Sequence, residues 1–393
     1  MSPRPSSSSS SNSHAPRVRI LVLAGDGIGP EVIAEAIKVL RAVEGRFGHH
    51  FELTEDQIGG SAIDDFGTAL RPATFALARR SDAVLFGAVG GPKWDDPRAT
   101  VRPEQGILRL RSGLETFANL RPARMHPALV HLSPLKAEIV QGTDVLFVRE
   151  LVAGTYFAKP KKLWQDAAGA WRAVDTCAYT EAQVERAVRV AFELARRRRR
   201  RLHVADKQNV MATSRLWRDV ATRVAQSFPD VEFGAILADA LAMHLLYRPT
   251  QFDVIVTDNL FGDILTDEAA ALAGSMGLMP SASIGELRNP HGGYRGIYEP
   301  IHGTAPDIAG QGRANPVAAI QSLAMLLRYS LNLEAEAQAV AGAVDDVIAR
   351  GLRTPDIARP GEPTVSTREM GSAIANAVAG AAVHTPAPAL AHA

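Results

Sequence analysis

From Val18 to Leu23 the chain reads Val-Arg-Ile-Leu-Val-Leu, a short apolar run of strand type. A glycine-rich turn, Gly25-Asp26-Gly27-Ile28-Gly29, follows it. From Pro30 to Val43 the apolar residues Val32, Ile33, Ala36, Ile37, Val39 and Leu40 recur at the spacing of one helix face. The same alternation continues along the chain. Ala83–Phe86, Asp144–Val148 and Asp253–Val256 are short apolar runs of the buried-strand kind, and Leu202–Ala205 is strand-like. Helical periods cover Glu181–Arg197, Ser214–Gln226, Asp263–Ala273 and Pro316–Leu331. Strand and helix in alternation predict an α/β protein with a large central sheet.

The first turn has the outline of a nucleotide-binding strand–turn–helix. Its spacing, however, is G-x-G-x-G rather than G-x-G-x-x-G, and Pro30 stands where the third glycine would lead into the helix. The sequence secures a tight turn there and no more.

Composition narrows the class. A 393-residue chain with 46% hydrophobic and 22% charged residues can bury a sizeable core, and its length suits two domains. A formal charge of +1 gives no global field for nucleic acid or membrane. No apolar stretch reaches the roughly 18 residues of a membrane span. The single cysteine, Cys177, excludes an internal disulfide and suits a reducing, cytoplasmic setting. Residues 1–16, rich in Ser and Pro, read as a disordered extension, with organelle import left open; the tail from about residue 382 reads similarly. Arg196–Arg201 is a basic hexamer without interleaved aromatics, which fits a solvated helix end better than a nucleic-acid patch.

Candidate chemistry collects in a few stretches. In NLFGDILTDEAA (259–270) Asp263 is expected to open a helix, and Asp263 and Asp267 lie one turn apart on one face. Two like charges so placed suit a hard divalent cation such as Mg²⁺ or Mn²⁺, and equally a capping residue beside a solvated one. Asp239 lies amid apolar residues, where an unpaired carboxylate is costly. Arg102, Arg109, Arg111, Arg121 and Arg149 could present planar forks to a small polyanion. Lys207 follows a strand and Tyr156 sits in a loop; both residue types move protons once burial or a cation shifts their pKa. Residues 299–316 form a long Gly- and Pro-rich loop whose N–H groups could cradle a phosphate or adenine, with Asp307 placed to accept from a ribose hydroxyl.

Taken together, these stretches resemble the metal-dependent β-decarboxylating dehydrogenases, the isocitrate/isopropylmalate group. The segments GDGIGPE, GGPKWDDPRATVRPE, FANLRPA, VRELVAGTYF, DKQNV, DALAM, NLFGDILTDEAA and HGTAPDIAGQGRANP fall in that family's order from about Val18 to Arg350. The resemblance implies two α/β/α domains sharing a large central sheet, at about 17–116 plus 274–393 and at 117–273, with a dimer arm in the irregular stretch 150–180. It implies a non-Rossmann NAD site built from Gly91, Glu104, Glu299, His302, Gly303, Thr304, Ala305, Asp307, Ile308 and Asn315. Arg111, Arg121 and Arg149 would bind the malate carboxylates. Asp263 and Asp267, with Asp239 from a partner subunit, would hold one Mg²⁺ or Mn²⁺ per subunit, Asp239 also facing the substrate. Lys207 and Tyr156 would be the catalytic base and acid. Glu104, Ile107, Leu108 and Val210 occupy the positions that form the γ-group pocket, and the apolar pair favours 3-isopropylmalate over tricarboxylates. A homodimer with shared active sites is implied, with neither nucleic acid nor membrane as partner. D-malate/tartrate, homoisocitrate and isocitrate dehydrogenases are the competing enzymes. A non-catalytic RNA-binding relative using Arg196–Arg201 is disfavoured by the intact chemical set.

Overall fold

The computed structural model describes residues 17–96 and 98–380; the expected disorder of residues 1–16 and of the tail beyond 382 lies outside them. In chain order the first elements are β1 (Val18–Gly25), α1 (Gly29–Phe47), β2 (Phe51–Glu55), α2 (Gly60–Phe66), α3 (Pro72–Arg80), β3 (Ala83–Ala88) and α4 (Pro103–Gly113). Then come β4 (Ala118–Arg124), α5 (Ala137–Val140), β5 (Asp144–Glu150), β6 (Lys161–Gln165), β7 (Trp171–Asp175), α6 (Glu181–Arg196), β8 (Arg201–Asp206) and α7 (Ala212–Ala225). The last are β9 (Glu232–Leu237), α8 (Ala238–Tyr247), β10 (Val254–Thr257), α9 (Asn259–Ala273), β11 (Pro280–Ile284), β12 (Ile297–Pro300), α10 (Val317–Tyr329), α11 (Glu334–Ala349) and α12 (Thr367–Ala379).

Ten strands form one mixed sheet in the order β2-β1-β3-β12-β11-β4-β5-β10-β8-β9. The strand neighbours β12–β11, β11–β4 and β4–β5 are antiparallel; the outer strands on both sides pair in parallel. Strands from residues 18–88 and 280–300 fill one side, strands from 118–257 the other, and β4 against β11 is the seam.

Successive residues of β1 and β3 serve opposite faces of the sheet. Ile20, Val22 and Leu85 join the main core under α1, while Leu21, Leu23, Val84 and Phe86 join a second core with Ile107 and Leu110 of α4. Both faces are therefore covered, which is why these strands read as unbroken apolar runs. α1 buries Val32, Ile33, Ala36, Val39, Leu40 and Val43 along one stripe.

Three local readings need correction. The helix of NLFGDILTDEAA starts at Asn259, not at Asp263, because the Asp258 carboxylate accepts the Phe261 N–H at 2.8 Å and caps it. The stretch 150–180 is not irregular throughout: β6 and β7 form an antiparallel hairpin, with Leu163 and Trp171 exposed. The arginine run is not simply solvated. Arg196 pairs with Asp230, Arg198 with Asp144 and the buried Asp253, and Arg199 and Arg201 donate to backbone carbonyls. Arg196, Arg198, Arg199 and Arg201 tie the end of α6 to neighbouring strand ends and loops, while Arg197 and Arg200 are exposed.

Candidate active site

In the β4–β5 ladder Asn119 stands opposite Arg149 and Arg121 opposite Phe147, so Asn119, Arg121 and Arg149 share one face of the sheet. Arg121 and Arg149 are 7% and 3% exposed. α9 crosses above them. Gly262 makes that approach feasible: a Cβ there would lie 2.6 Å from Arg149 Cγ. A helix-interior glycine costs about 1 kcal/mol relative to alanine, and here it leaves the room the arginine occupies.

The carboxylate of Asp263 is the hub. It accepts from Arg149 Nη1 at 2.5 Å and from the Tyr156 hydroxyl at 2.8 Å, and lies 3.6 Å from Arg121 Nη2. Asp267, one turn on, is 3.8 Å from Arg121 Nη1. Arg121 also donates to Thr266 Oγ1 at 2.6 Å. Arg111, from the last turn of α4, pairs with Glu299 of β12 at 2.7 Å.

The electrostatics follow from crowding. Burial and the neighbouring Arg121 bring the Arg149 pKa down to about 10, and burial lowers that of Arg121. Burial opposes ionisation of Asp263, but Arg149 and Arg121 outweigh it and hold the carboxyl below its usual range. Burial raises Asp267, and burial with the bond to Asp263 raises the Tyr156 phenol. The result is a half-enclosed set of guanidinium charges around one ionised carboxylate, suited to a small anionic ligand.

Lys207 and Asp239 are a separate pair. Their side chains meet at 2.6 Å, and Lys207 keeps the Asp239 carboxyl low. The carboxylate of Asp239, expected to need a cation, has Lys207 as its partner within the chain, and its side chain is 64% exposed. Among the described residues no three His, Cys, Asp or Glu side chains converge as a metal site, so Asp239 does not join Asp263 and Asp267 within one chain.

The loop after β12 is held by the first glycine turn. Ile28 N–H donates to Thr304 O at 2.9 Å, and a Cβ on Gly27 would lie 2.2 Å from that same oxygen. Glu31 accepts from Gly310 N–H at 2.5 Å and Gly312 N–H at 3.0 Å. The buried Asp26 accepts from Gly60, Ser61 and Gly90 N–H groups. GDGIGPE is thus a staple for three loops. His302 Nδ1 faces the Gly303 carbonyl at 2.9 Å, so that nitrogen donates. Burial holds the ring neutral, and its Nε2 is a buried acceptor without a partner. Gly303 and Asp307 are exposed, Ala305 and Ile308 half-buried, and Ala305 has a φ of 37°.

Several expected site residues have other occupations. Asn315 caps α10 through Val317 N–H and donates to Asp356, so both ends of its amide are committed. The Glu299 carboxylate belongs to Arg111. Ile107 is 6% exposed inside the second core, whereas Leu108 is half-buried and shares its helix face with Glu104 and Arg111. Glu104 approaches Gly90, next to Gly91. Val210 is 67% exposed. Arg109 lies over the Phe75 ring, and Arg102 lies 3.9 Å from Asp95 and Glu104, so neither joins the arginine cluster. Sequence reasoning missed Asp26, Glu31, Asn119 and Asn259. An acid inside a glycine turn and an asparagine two residues before an arginine were the available signals.

The isocitrate/isopropylmalate dehydrogenase family model matches residues 19–374. The chain belongs to that family. A 3-isopropylmalate dehydrogenase of Dehalococcoides mccartyi is 53% identical over 361 residues, covering 92% of this chain and 99% of the relative. One of Anaeromyxobacter dehalogenans is 54% identical over 356 residues, covering 90% and 98%. Among family structures, isocitrate dehydrogenase from Methylococcus capsulatus matches with TM-score 0.79 and 32% identity, over 92% of this chain and 99% of that one. An apo β-decarboxylating dehydrogenase from Thermococcus kodakarensis matches with TM-score 0.72 and 34% identity, over 92% and 96%.

Proposed function

We propose that the protein oxidises and decarboxylates (2R,3S)-3-isopropylmalate to 4-methyl-2-oxopentanoate with reduction of NAD, a step of leucine biosynthesis. The observation that carries this reading is the grouping of Arg121, Arg149, Tyr156 and Asp263, with Arg111 close enough to lower the pKa of both arginines. Guanidinium groups suit the two carboxylates of a malate. Leu108, on the face shared with Glu104 and Arg111, is the apolar side chain best placed for the isopropyl group.

Asp263 and Asp267 offer hard oxygen donors one turn apart on α9, which fits Mg²⁺ or Mn²⁺. The His302 Nε2, without a partner among the described residues, and exposed Asp307 fit NAD. A cation held there would supply a Lewis acid for the C2 oxygen, and NAD would supply the hydride acceptor. The arginines hold the substrate carboxylates and fix C2 and C3. Lys207 of the partner subunit takes the C2 hydroxyl proton. After CO₂ leaves, the Tyr156 hydroxyl returns a proton to C3.

The shared site requires a homodimer. Its support is apolar surface: Met243, Leu246 and Tyr247 on α8, Ile264 on α9, and Leu163 and Trp171 on the hairpin are 40–69% exposed. We place the division between domains at the β4–β11 seam and the dimer arm at the hairpin. Among the described residues no helix is long and apolar enough to cross a membrane. We assign the enzyme to the cytoplasm on the strength of its bacterial relatives.

The test is NADH formation by the purified protein with Mg²⁺ and 3-isopropylmalate, against isocitrate, D-malate and tartrate. Higher kcat/KM on any of the other three would replace the substrate in this reading.

A further inference from the structure

Two arginines of the site present their Nε edges to neutral amides, while the Asp263 carboxylate lies on their other side, 2.5 Å from Arg149 Nη1 and 3.6 Å from Arg121 Nη2. Arg121 Nε donates to Asn119 Oδ1 at 2.7 Å, while Arg149 Nε and Nη2 donate to Asn259 Oδ1 at 3.0 and 2.7 Å. Both asparagines are buried, at 1% and 0% exposure. A guanidinium needs an acceptor to fix its plane, but a second carboxylate on that edge, added to Asp263, would outweigh its charge. Arg111, paired with Glu299, shows the alternative in the same site.

Asn259 does a second thing. Its Nδ2 donates to Ala153 O at 3.1 Å, the residue before the Gly154–Tyr156 turn. Its backbone N–H donates to the Tyr179 hydroxyl at 3.0 Å. One amide at the first position of α9 therefore joins the plane of Arg149, the turn carrying Tyr156 and the helix carrying Asp263 and Asp267.

We propose that Asn259 is a positioning residue: it fixes the plane of Arg149 toward the substrate without setting a second negative charge beside Asp263, and it holds the Tyr156 turn in register with it. This rests on the function proposed above. Asn259 touches neither substrate nor cofactor in this reading; it acts through Arg149 and Tyr156.

The experiment is a double-mutant cycle on the full-length enzyme with 3-isopropylmalate. Asn259→Ala is expected to raise the substrate KM at least tenfold and lower kcat severalfold, with the KM for NAD within twofold of wild type. On an Arg149→Met background the same substitution is expected to change the substrate KM by less than twofold. Equal losses on both backgrounds, or a parallel rise in the KM for NAD, would mean general damage and would overturn the proposal. Asn259→Asp keeps the acceptor contacts while adding a negative charge; a substrate KM within twofold of wild type would overturn the part played by neutrality. If the alanine variant does not fold, Asn259→Ser leaves a hydroxyl and space for a water and runs the same cycle. Failure of wild type to turn over 3-isopropylmalate would sink the proposed function instead. Crystal structures of wild type and variant then still decide this point: a displaced Arg149 plane and Tyr156 turn support it, unchanged positions overturn it.

Discussion

Glu150 follows Arg149 and is fully buried, accepting from the N–H groups of Val152 and Ala153 with Arg186 at 3.6 Å. Burial pushes its carboxyl up to about 7. Between the ordinary 4.5 and that value the folded chain keeps a proton that the unfolded chain has lost. Stability therefore falls as pH rises through this window, by up to about 1.4 kcal/mol for each pH unit. Glu150→Gln removes this dependence. Urea unfolding at pH 4.5 and 7.5 should show the variant gaining on wild type by a few kcal/mol at the higher pH; a constant offset would show an ordinary carboxyl. Specificity divides at the same scale. Leu108→Ala should cost about 1–3 kcal/mol in kcat/KM on 3-isopropylmalate relative to malate, whereas Ile107→Ala should lower stability by roughly 2–5 kcal/mol and spare the ratio. Kinetics on both substrates with a thermal melt separates the two, and a selectivity loss confined to Ile107→Ala would reverse the assignment. Periodicity alone made Ile107 and Leu108 equivalent apolar residues; only the packed helix shows which one faces the core. Arg121, Arg149 and Asp263 were legible because their residue types announce their chemistry. Asn259 was not, since an asparagine beside an aspartate reads first as a cap.

Among elements, the turn between β1 and α1 has the most to test. It looks like a phosphate loop in sequence, yet its polar groups point inward to other loops: Ile28 to Thr304, Glu31 to Gly310 and Gly312, Asp26 to Gly60, Ser61 and Gly90. Hydrogen bonds to a charged acceptor contribute roughly 1.5–3 kcal/mol each. Glu31→Gln weakens two of them, so the KM for NAD should rise about tenfold, the equivalent of ~1.4 kcal/mol, with the substrate KM unchanged. Amide exchange across 302–312 should quicken in the same variant. Unaltered exchange there would detach the turn from the loop. Strands β1, β3, β5, β8 and β10 and helices α1, α6, α7, α9 and α10 could be read from period alone because both sheet faces are covered and each of these helices has a buried stripe. The start of α9 and the hairpin could not. One depends on the Asp258 cap, the other on exposed strands with no apolar alternation to betray them.

At the scale of the whole molecule, the two groups proposed to move protons have different partners: Tyr156 bonds to Asp263, and Lys207 to Asp239. If each site takes its Lys207 from the partner subunit, Lys207→Met and Tyr156→Phe homodimers should both be nearly inactive. Their co-expressed heterodimer has one intact site and should recover about half of wild-type activity. An inactive purified heterodimer would place both groups in one chain. Sequence order alone could not show how the sheet is assembled, because it depends on pairings between distant segments: β4 meets β11 at the seam, and β3, ending at Ala88, has as its neighbour β12, which begins at Ile297. That pairing has a consequence for how the protein is made. A ribosome adding roughly 5–20 residues per second completes the contiguous strands β4, β5, β8, β9 and β10 while β3 still waits about 10–40 s for its partner. Through that interval the nascent chain carries Ala-Val-Leu-Phe-Gly-Ala as an unpaired edge, every residue of which is buried in the finished protein. Synthesis in a cell-free system lacking chaperones should therefore lose product to aggregation nucleated at β3, and slowing translation should deepen the loss.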